Sequence, residues 1–251
     1  MTVLSQQIRY LSGEEVERAD RFEVAFNRIH AQLRKLAPNE RDDSFTSLLY
    51  KVSDRYSHVR ANRENLRQYA KLRNALVHEY FGQDHYIAVP HKQVVAQIEA
   101  ISEQLARPKN VLTIAARPVV AFQAGTPLSE VLATIERHSF TSYPVYQGTS
   151  FVGLITEDGI SKWIAAQLRL SPIVDFGPVL IDHTLPFESP HNVVFVSSRT
   201  NVLEVEDLFE ERLREREKIE AVIITDTGHS EEQALGIITS WDLVKVDAWS
   251  S

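Results

Sequence analysis

The sequence predicts an α+β protein of two domains, an all-α helical bundle followed by an α/β module, and three observations carry that reading. Apolar residues recur at helical spacing through the first 109 residues. After Pro108 the pattern changes to short β-rich runs alternating with helical ones. That alternation then occurs a second time, so the C-terminal module reads as an internal repeat. The expected domains are 1–109 and 110–251, with repeats over about 111–166 and 190–249.

Four helices are expected in the first domain. Phe22, Phe26, Ile29, Leu33 and Leu36 share one helical face, and Pro38-Asn39 ends that run. Phe45, Leu48, Leu49, Val52 and Tyr56 form the second, with Asp43 and Ser44 as possible caps. Arg60 to Tyr80 contains no Gly or Pro and reads as one uninterrupted helix ending before Gly82. Val94, Val95, Ile98, Ile101 and Leu105 mark the fourth, between Pro90 and Pro108.

The third helix has two faces. Arg60, Arg63, Arg67, Lys71, Asn74 and His78 fall at offsets of 3, 7, 11, 14 and 18, a basic stripe ending in an imidazole. Opposite run Leu66, Tyr69, Ala70, Leu76, Val77 and Tyr80, and Arg73 projects from the middle of that apolar stripe. An Arg there is costly unless it is paired. The net charge of -7 argues against a general nucleic-acid binder. The charge is uneven, however: residues 1–109 hold 17 Lys and Arg against 14 Asp and Glu, and Lys51 to Arg73 hold seven against two. A polyanion such as RNA should therefore meet this half, through Arg60, Arg63, Arg67 and Lys71.

The end of that helix, Arg73-Asn74-Ala75-Leu76-Val77-His78-Glu79-Tyr80, resembles the R-x4-H motif of HEPN domains, extended to R-x4-H-x-Y. HEPN domains are four- or five-helix bundles, many of them metal-independent ribonucleases that act as dimers; others bind RNA or partners without cutting. The resemblance implies that His78 acts as general acid or base, its ordinary pKa of about 6.5 suiting both. It implies that Arg73 stabilises charge on the phosphorus and that Asn74 orients groups on the same face. Tyr80 is implied as a possible site of AMP attachment, or else as a core or interface aromatic.

Past Pro108, the first unit runs Val119-Val120-Ala121-Phe122, a helix from Thr126, Ser142-Tyr143-Pro144-Val145-Tyr146 and Phe151-Val152-Gly153-Leu154-Ile155-Thr156. The second runs Val193 to Val196, a helix from Thr200, Ala221 to Ile224 and Leu235-Gly236-Ile237-Ile238-Thr239. The order of elements, Ser-Tyr-Pro-Val, Gly-Leu-Ile-Thr and Gly-Ile-Ile-Thr resemble a tandem pair of CBS (cystathionine beta-synthase) domains, also called a Bateman module. Such pairs commonly bind AMP, ADP or ATP as regulatory ligands near helix N-termini, where a phosphate is favoured, and usually dimerise. In that family Thr or Ser, then two residues, then Asp contacts ribose and phosphate. The second repeat has this pattern as Thr239-Ser240-Trp241-Asp242. In the first repeat Gly159 stands at the acid's position after Thr156, and the acid is displaced to Asp158. One good site and one doubtful site follow, though Thr-x-x-Asp is also nearly a capping box and needs no ligand. Thr200 and Arg199 are further phosphate candidates, and Ile219 to Ala221, which lacks the Pro seen at Pro144, is the expected base-contacting edge.

No metal is expected, because His85, His91 and His183 lack ligand spacing. The absence of Cys and of any long apolar run leads us to expect a cytoplasmic protein that does not enter a membrane. The leading expectation is a homodimer, joined through both regions, whose CBS pair senses an adenine nucleotide and whose helical bundle cleaves or binds RNA. The alternative is a non-catalytic sensor whose bundle docks a partner protein.

Overall fold

The computed structural model describes residues 12–78, 89–138, 140–177 and 179–247, with the side chains of Val77, His78, Lys245, Val246 and Asp247 outside the description. The chain divides into two compact units, Met1–Pro108 and Lys109–Ser251. No described helix is long and apolar enough to cross a membrane.

Five helices make up the described part of the first unit: α1 (Gly13–Leu36), α2 (Phe45–Arg55), α3 (Ser57–Ala61), α4 (Arg63–His78) and α5 (Lys92–Ala106). Their apolar stripes converge on one core in which Phe22, Ile29, Leu33, Leu48, Leu49, Leu66 and Ile98 are fully buried. Ser44 caps α2 by accepting from the Ser47 N–H, and Ser12 and Glu15 form a reciprocal cap on α1.

The expected single helix from Arg60 to Tyr80 is corrected: it is broken at Asn62 into α3 and α4. No Gly or Pro is needed for the break. The Asn62 side-chain amide donates to the His58 carbonyl, a local bond that competes with continued helix, while its own carbonyl opens α4 by accepting from the Leu66 N–H. The apolar face of α4 is as expected, with Leu66, Tyr69, Ala70 and Leu76 buried.

The second unit contains two three-stranded sheets. In the first, β1 (Phe122–Gln123) runs parallel to β2 (Ser142–Gln147), and β2 pairs antiparallel with β3 (Ser150–Thr156). In the second, β4 (Val193–Ser197) runs parallel to β5 (Ala221–Thr225), which pairs antiparallel with β6 (Gly236–Ile238). Helices α6 (Leu128–Arg137) and α8 (Val202–Arg214) make the parallel crossovers, and α7 (Glu157–Leu170) and α9 (Ser240–Asp247) follow the third strands. The run Val119 to Phe122 contributes only its last residue to β1. Helix α8 stops at Arg214, and Arg216 turns the chain with a φ of 61°.

Register makes the duplication precise. Gly153 lies opposite Val145 and Gly236 opposite Ile224, so Thr156, the last residue of β3, and Thr239, the residue after β6, occupy equivalent places. The stretch before each repeat docks on the other. Val111 donates to the Thr200 carbonyl and Val202 to that of Lys109; Ile181 donates to the Thr126 carbonyl and Leu128 to that of Val179. Packing follows the same exchange, with Val111 in the core of the second repeat and Val179 and Ile181 in that of the first. Both glycines are required by it. A Cβ at Gly153 would meet Leu185 at 2.9 Å, and one at Gly236 would meet Ala115 at 2.8 Å. Between the repeats, Leu154 packs with Ala221, Ile223 and Ile237, while Val222 and Ile224 point from the same strand into the second repeat's own core. A strand buried on both faces explains why Ala221 to Ile224 is continuously apolar.

Candidate functional site

The second repeat's Thr239 and Asp242 are held at the start of α9. Thr239 follows Ile238, whose partner is Val222, so it stands beside Ala221 at the end where β5 begins. Asp242 is buried, 9% exposed, and its Oδ2 accepts from the Thr239 N–H at 2.9 Å and the Thr239 hydroxyl at 3.0 Å. The Asp242 N–H donates in turn to the Thr239 carbonyl. This is a closed cap: a carboxylate fixed at a helix N-terminus, where the dipole favours negative charge, with its orientation set by the residue before the helix. A fixed carboxylate of this kind can accept from a ligand's hydroxyls without reorganising.

Ile219 and Ala221 lie at this same end of the sheet and are buried at 8% and 0% exposure. Asn192 does too, since its carbonyl accepts from the N–H groups of Glu220 and Ala221. The residue is 7% exposed, and its amide Nδ2 has no hydrogen-bond partner among the described residues. A buried donor left unsatisfied is uncommon and invites an acceptor. Sequence reasoning missed Asn192, because a lone Asn before a strand carries no pattern.

Thr200 and Arg199 are not brought to Thr239 and Asp242. They follow Ser197, which pairs with Thr225 at the far end of the same sheet. There Thr200 serves the docked stretch before the first repeat, while Arg199 is exposed.

The first repeat solves the same local problem with a different residue. Thr156 caps α7 by accepting from the Gly159 N–H at 3.0 Å. Gly159 has no carboxylate to offer, and Glu188 supplies one from the stretch between the repeats: Oε1 accepts from the Thr156 N–H at 2.7 Å and Oε2 from its hydroxyl at 2.8 Å. Burial pushes the Glu188 carboxyl above its usual range, against the lowering effect of both Thr156 bonds, and the nearby Glu220 and Asp158 add to the rise. Asp158 points to Lys162 instead, with 2.7 Å between Oδ2 and Nζ, and that contact holds its pKa below the usual carboxylate range. The displaced acid therefore does not take the place of the missing one.

In the helical unit the basic stripe is less open than its spacing suggests. Arg60 lies in α3, beyond the break at Asn62, and has an interaction of its own. Arg67 is held bidentately by Glu64 at 2.7 and 2.9 Å, which brings the Glu64 carboxyl down to about 2. Arg63 stands over the Tyr50 ring at 6.0 Å, and Lys71 and Asn74 are exposed. Arg73 is half-buried with its guanidinium 5.9 Å from the Phe26 ring centroid, and its buried Nε has no hydrogen-bond partner among the described residues. Among the described residues, the partner of this Arg is an aromatic ring. His78 closes α4, but its side chain lies outside the description, as does all of Tyr80 and His85. His91 and His183 each accept a backbone N–H through Nδ1, at Gln93 and Leu180.

Comparison with known families matches residues 111–166 to the CBS domain. No curated protein matches the chain. Among solved structures, the CBS domain pair of protein MJ0100 in complex with 5'-methylthioadenosine and S-adenosyl-L-methionine is 18% identical, with a TM-score of 0.44 over 57% of this chain and 99% of that one. CBSX2 in complex with AMP is 16% identical, with a TM-score of 0.39 over 56% of this chain and 97% of that one. The CBS-domain-containing protein ATU1752 from Agrobacterium tumefaciens is 19% identical, with a TM-score of 0.41 over 55% of this chain and 98% of that one. The family match lies wholly in the second unit and says nothing about the helical one. Since the first repeat matches this family and the second reproduces its topology strand for strand, the C-terminal half of the chain is a CBS domain pair.

Proposed function

We propose that the C-terminal unit is a regulatory module that binds an adenine nucleotide in its second repeat. The observation that carries this reading is the fixed carboxylate of Asp242 beside Thr239, at the same sheet end as the buried Ile219 and Ala221 and the unsatisfied amide of Asn192. Asp242 accepts from the ribose hydroxyls, Ile219 and Ala221 flank the base, and the α9 N-terminus favours the phosphate. Thermal unfolding with AMP, ATP, 5'-methylthioadenosine and S-adenosyl-L-methionine as probes tests it. A bound ligand at 100 times its Kd raises stability by about 2.7 kcal/mol. No shift with any of the four would remove the reading.

For the helical unit we propose, on the resemblance of Arg73 to His78 and on the buried Nε of Arg73, which has no partner among the described residues, an RNA-directed role regulated by the nucleotide site. Arg73 and Asn74 position a phosphodiester that His78 acts upon, with Lys71 and Arg63 contacting flanking phosphates. Cleavage of a mixed RNA pool in EDTA, giving cyclic-phosphate ends with the wild-type chain and none with His78→Ala, is the expected result. Without cleavage, and with a stable co-purifying protein, the bundle is a docking domain instead.

A further inference from the structure

In the first repeat the place that corresponds to the Asp242 carboxylate is taken by a residue from another segment of the chain. Two observations meet at the start of α7. Both oxygens of Glu188 are taken up by the N–H and hydroxyl of Thr156, the same two groups that Asp242 engages on Thr239. The Glu188 carboxylate also lies directly against the Gly159 backbone: a Cβ built there would sit 1.9 Å from Oε1 and 2.2 Å from Cδ. Glycine at 159 is therefore the complement of Glu188, as one leaves the space that the other occupies.

The origins of the two carboxylates differ, and that difference matters. Asp242 is rooted in the helix it caps, three residues after Thr239. Glu188 is rooted in the stretch that follows the turn at Leu185–Phe187 and brings its carboxylate to Thr156 and against Gly159 from that separate segment. The charges around it oppose an anion. Asp158 and Glu220 both act on Glu188, and the two nearby cations are already engaged, Lys162 by Asp158 at 2.7 Å and Lys218 by Glu220 at 2.6 Å. In the second repeat the residue equivalent to Asp158 is Trp241, which is uncharged and exposed.

We propose that Glu188 is an intramolecular plug that closes the first repeat, so that the chain takes up nucleotide in its second repeat alone unless Glu188 is displaced. This rests on the nucleotide reading given above. The plug ties the stretch between the repeats to α7, and displacing it would free that stretch, giving the module two states distinguished by one side chain.

Equilibrium dialysis of the full chain with saturating AMP tests this by counting bound ligand. The expected result is one AMP per wild-type chain and two for Glu188→Ala, with Asp242→Asn binding one only at about 10-fold to 150-fold higher AMP. The double variant Glu188→Ala with Gly159→Asp, which returns a carboxylate to the helix itself, should also bind two; it keeps the test decisive if Glu188→Ala alone unfolds. One AMP for both Glu188 variants would overturn the plug and leave the second-repeat site standing. Two for wild type, falling to one in Glu188→Ala, would overturn it by making Glu188 a ligand contact. None for wild type would remove the nucleotide reading itself, and the plug with it.

Discussion

The two repeats of the C-terminal unit present the same threonine at the same register position and complete its hydrogen bonding in different ways. In the second repeat the acid is local, three residues along in α9; in the first it is imported from a separate segment 32 residues away. What is preserved is the physical requirement at a helix start, where the N–H and hydroxyl of Thr need an acceptor. What is free to change is the origin of that acceptor.

The largest effect is expected at Asp242. Asp242→Ala removes a charge-assisted acceptor worth about 1.5–3 kcal/mol, so AMP affinity measured by calorimetry should fall about 10-fold to 150-fold; an unchanged affinity would detach this carboxylate from binding. Glu188→Ala is expected next. It strands two donors of Thr156, costing about 1–3 kcal/mol, partly offset because a carboxylate is no longer desolvated. Its pH dependence has a definite sign. Burial raises the Glu188 pKa in the folded state, so as pH rises the unfolded chain ionises first, at about 4.3. Folded stability then declines until the folded carboxyl has also ionised, and it levels off above that. The difference in urea-unfolding stability between the wild type and Glu188→Ala should show this decline across that window, the carboxylates held below their usual range contributing equally to both. The smallest effects are expected from Thr156→Val and Thr239→Val, each about 1 kcal/mol from the lost cap. Only the second should also weaken AMP binding, which sharpens the distinction between the repeats.

Much of this was legible in the sequence because it rests on periodicity and local spacing. The apolar stripes of α1, α2 and α5, the double β-rich pattern, and the pairing of Thr239 with Asp242 all lie within a few residues of one another. Gly159 was legible as a loss. Its replacement was not, because Glu188 sits in an irregular stretch and reaches Thr156 only once the segments before each repeat have docked crosswise. That Thr200 and Arg199 stand at the opposite end of the sheet from Thr239 was not legible either, since motif order along the chain does not reveal which ends of parallel and antiparallel strands coincide. The break at Asn62 escaped because helix propensity is a weak prior and one side-chain amide bond to His58 decides the matter. Arg73 stands on the apolar side of α4 as its spacing indicated, and the contact with the Phe26 ring of α1 was not legible because the two residues are far apart in sequence.

The most direct test of the account is to map where AMP lands, by following backbone amide shifts during an NMR titration of the full chain. The account predicts that the largest changes fall on Ala221, Thr239 and the first turn of α9 through Asp242, with Thr156 and Gly159 little affected. Changes centred on Arg199 and Thr200, at the opposite end of the sheet, would contradict it.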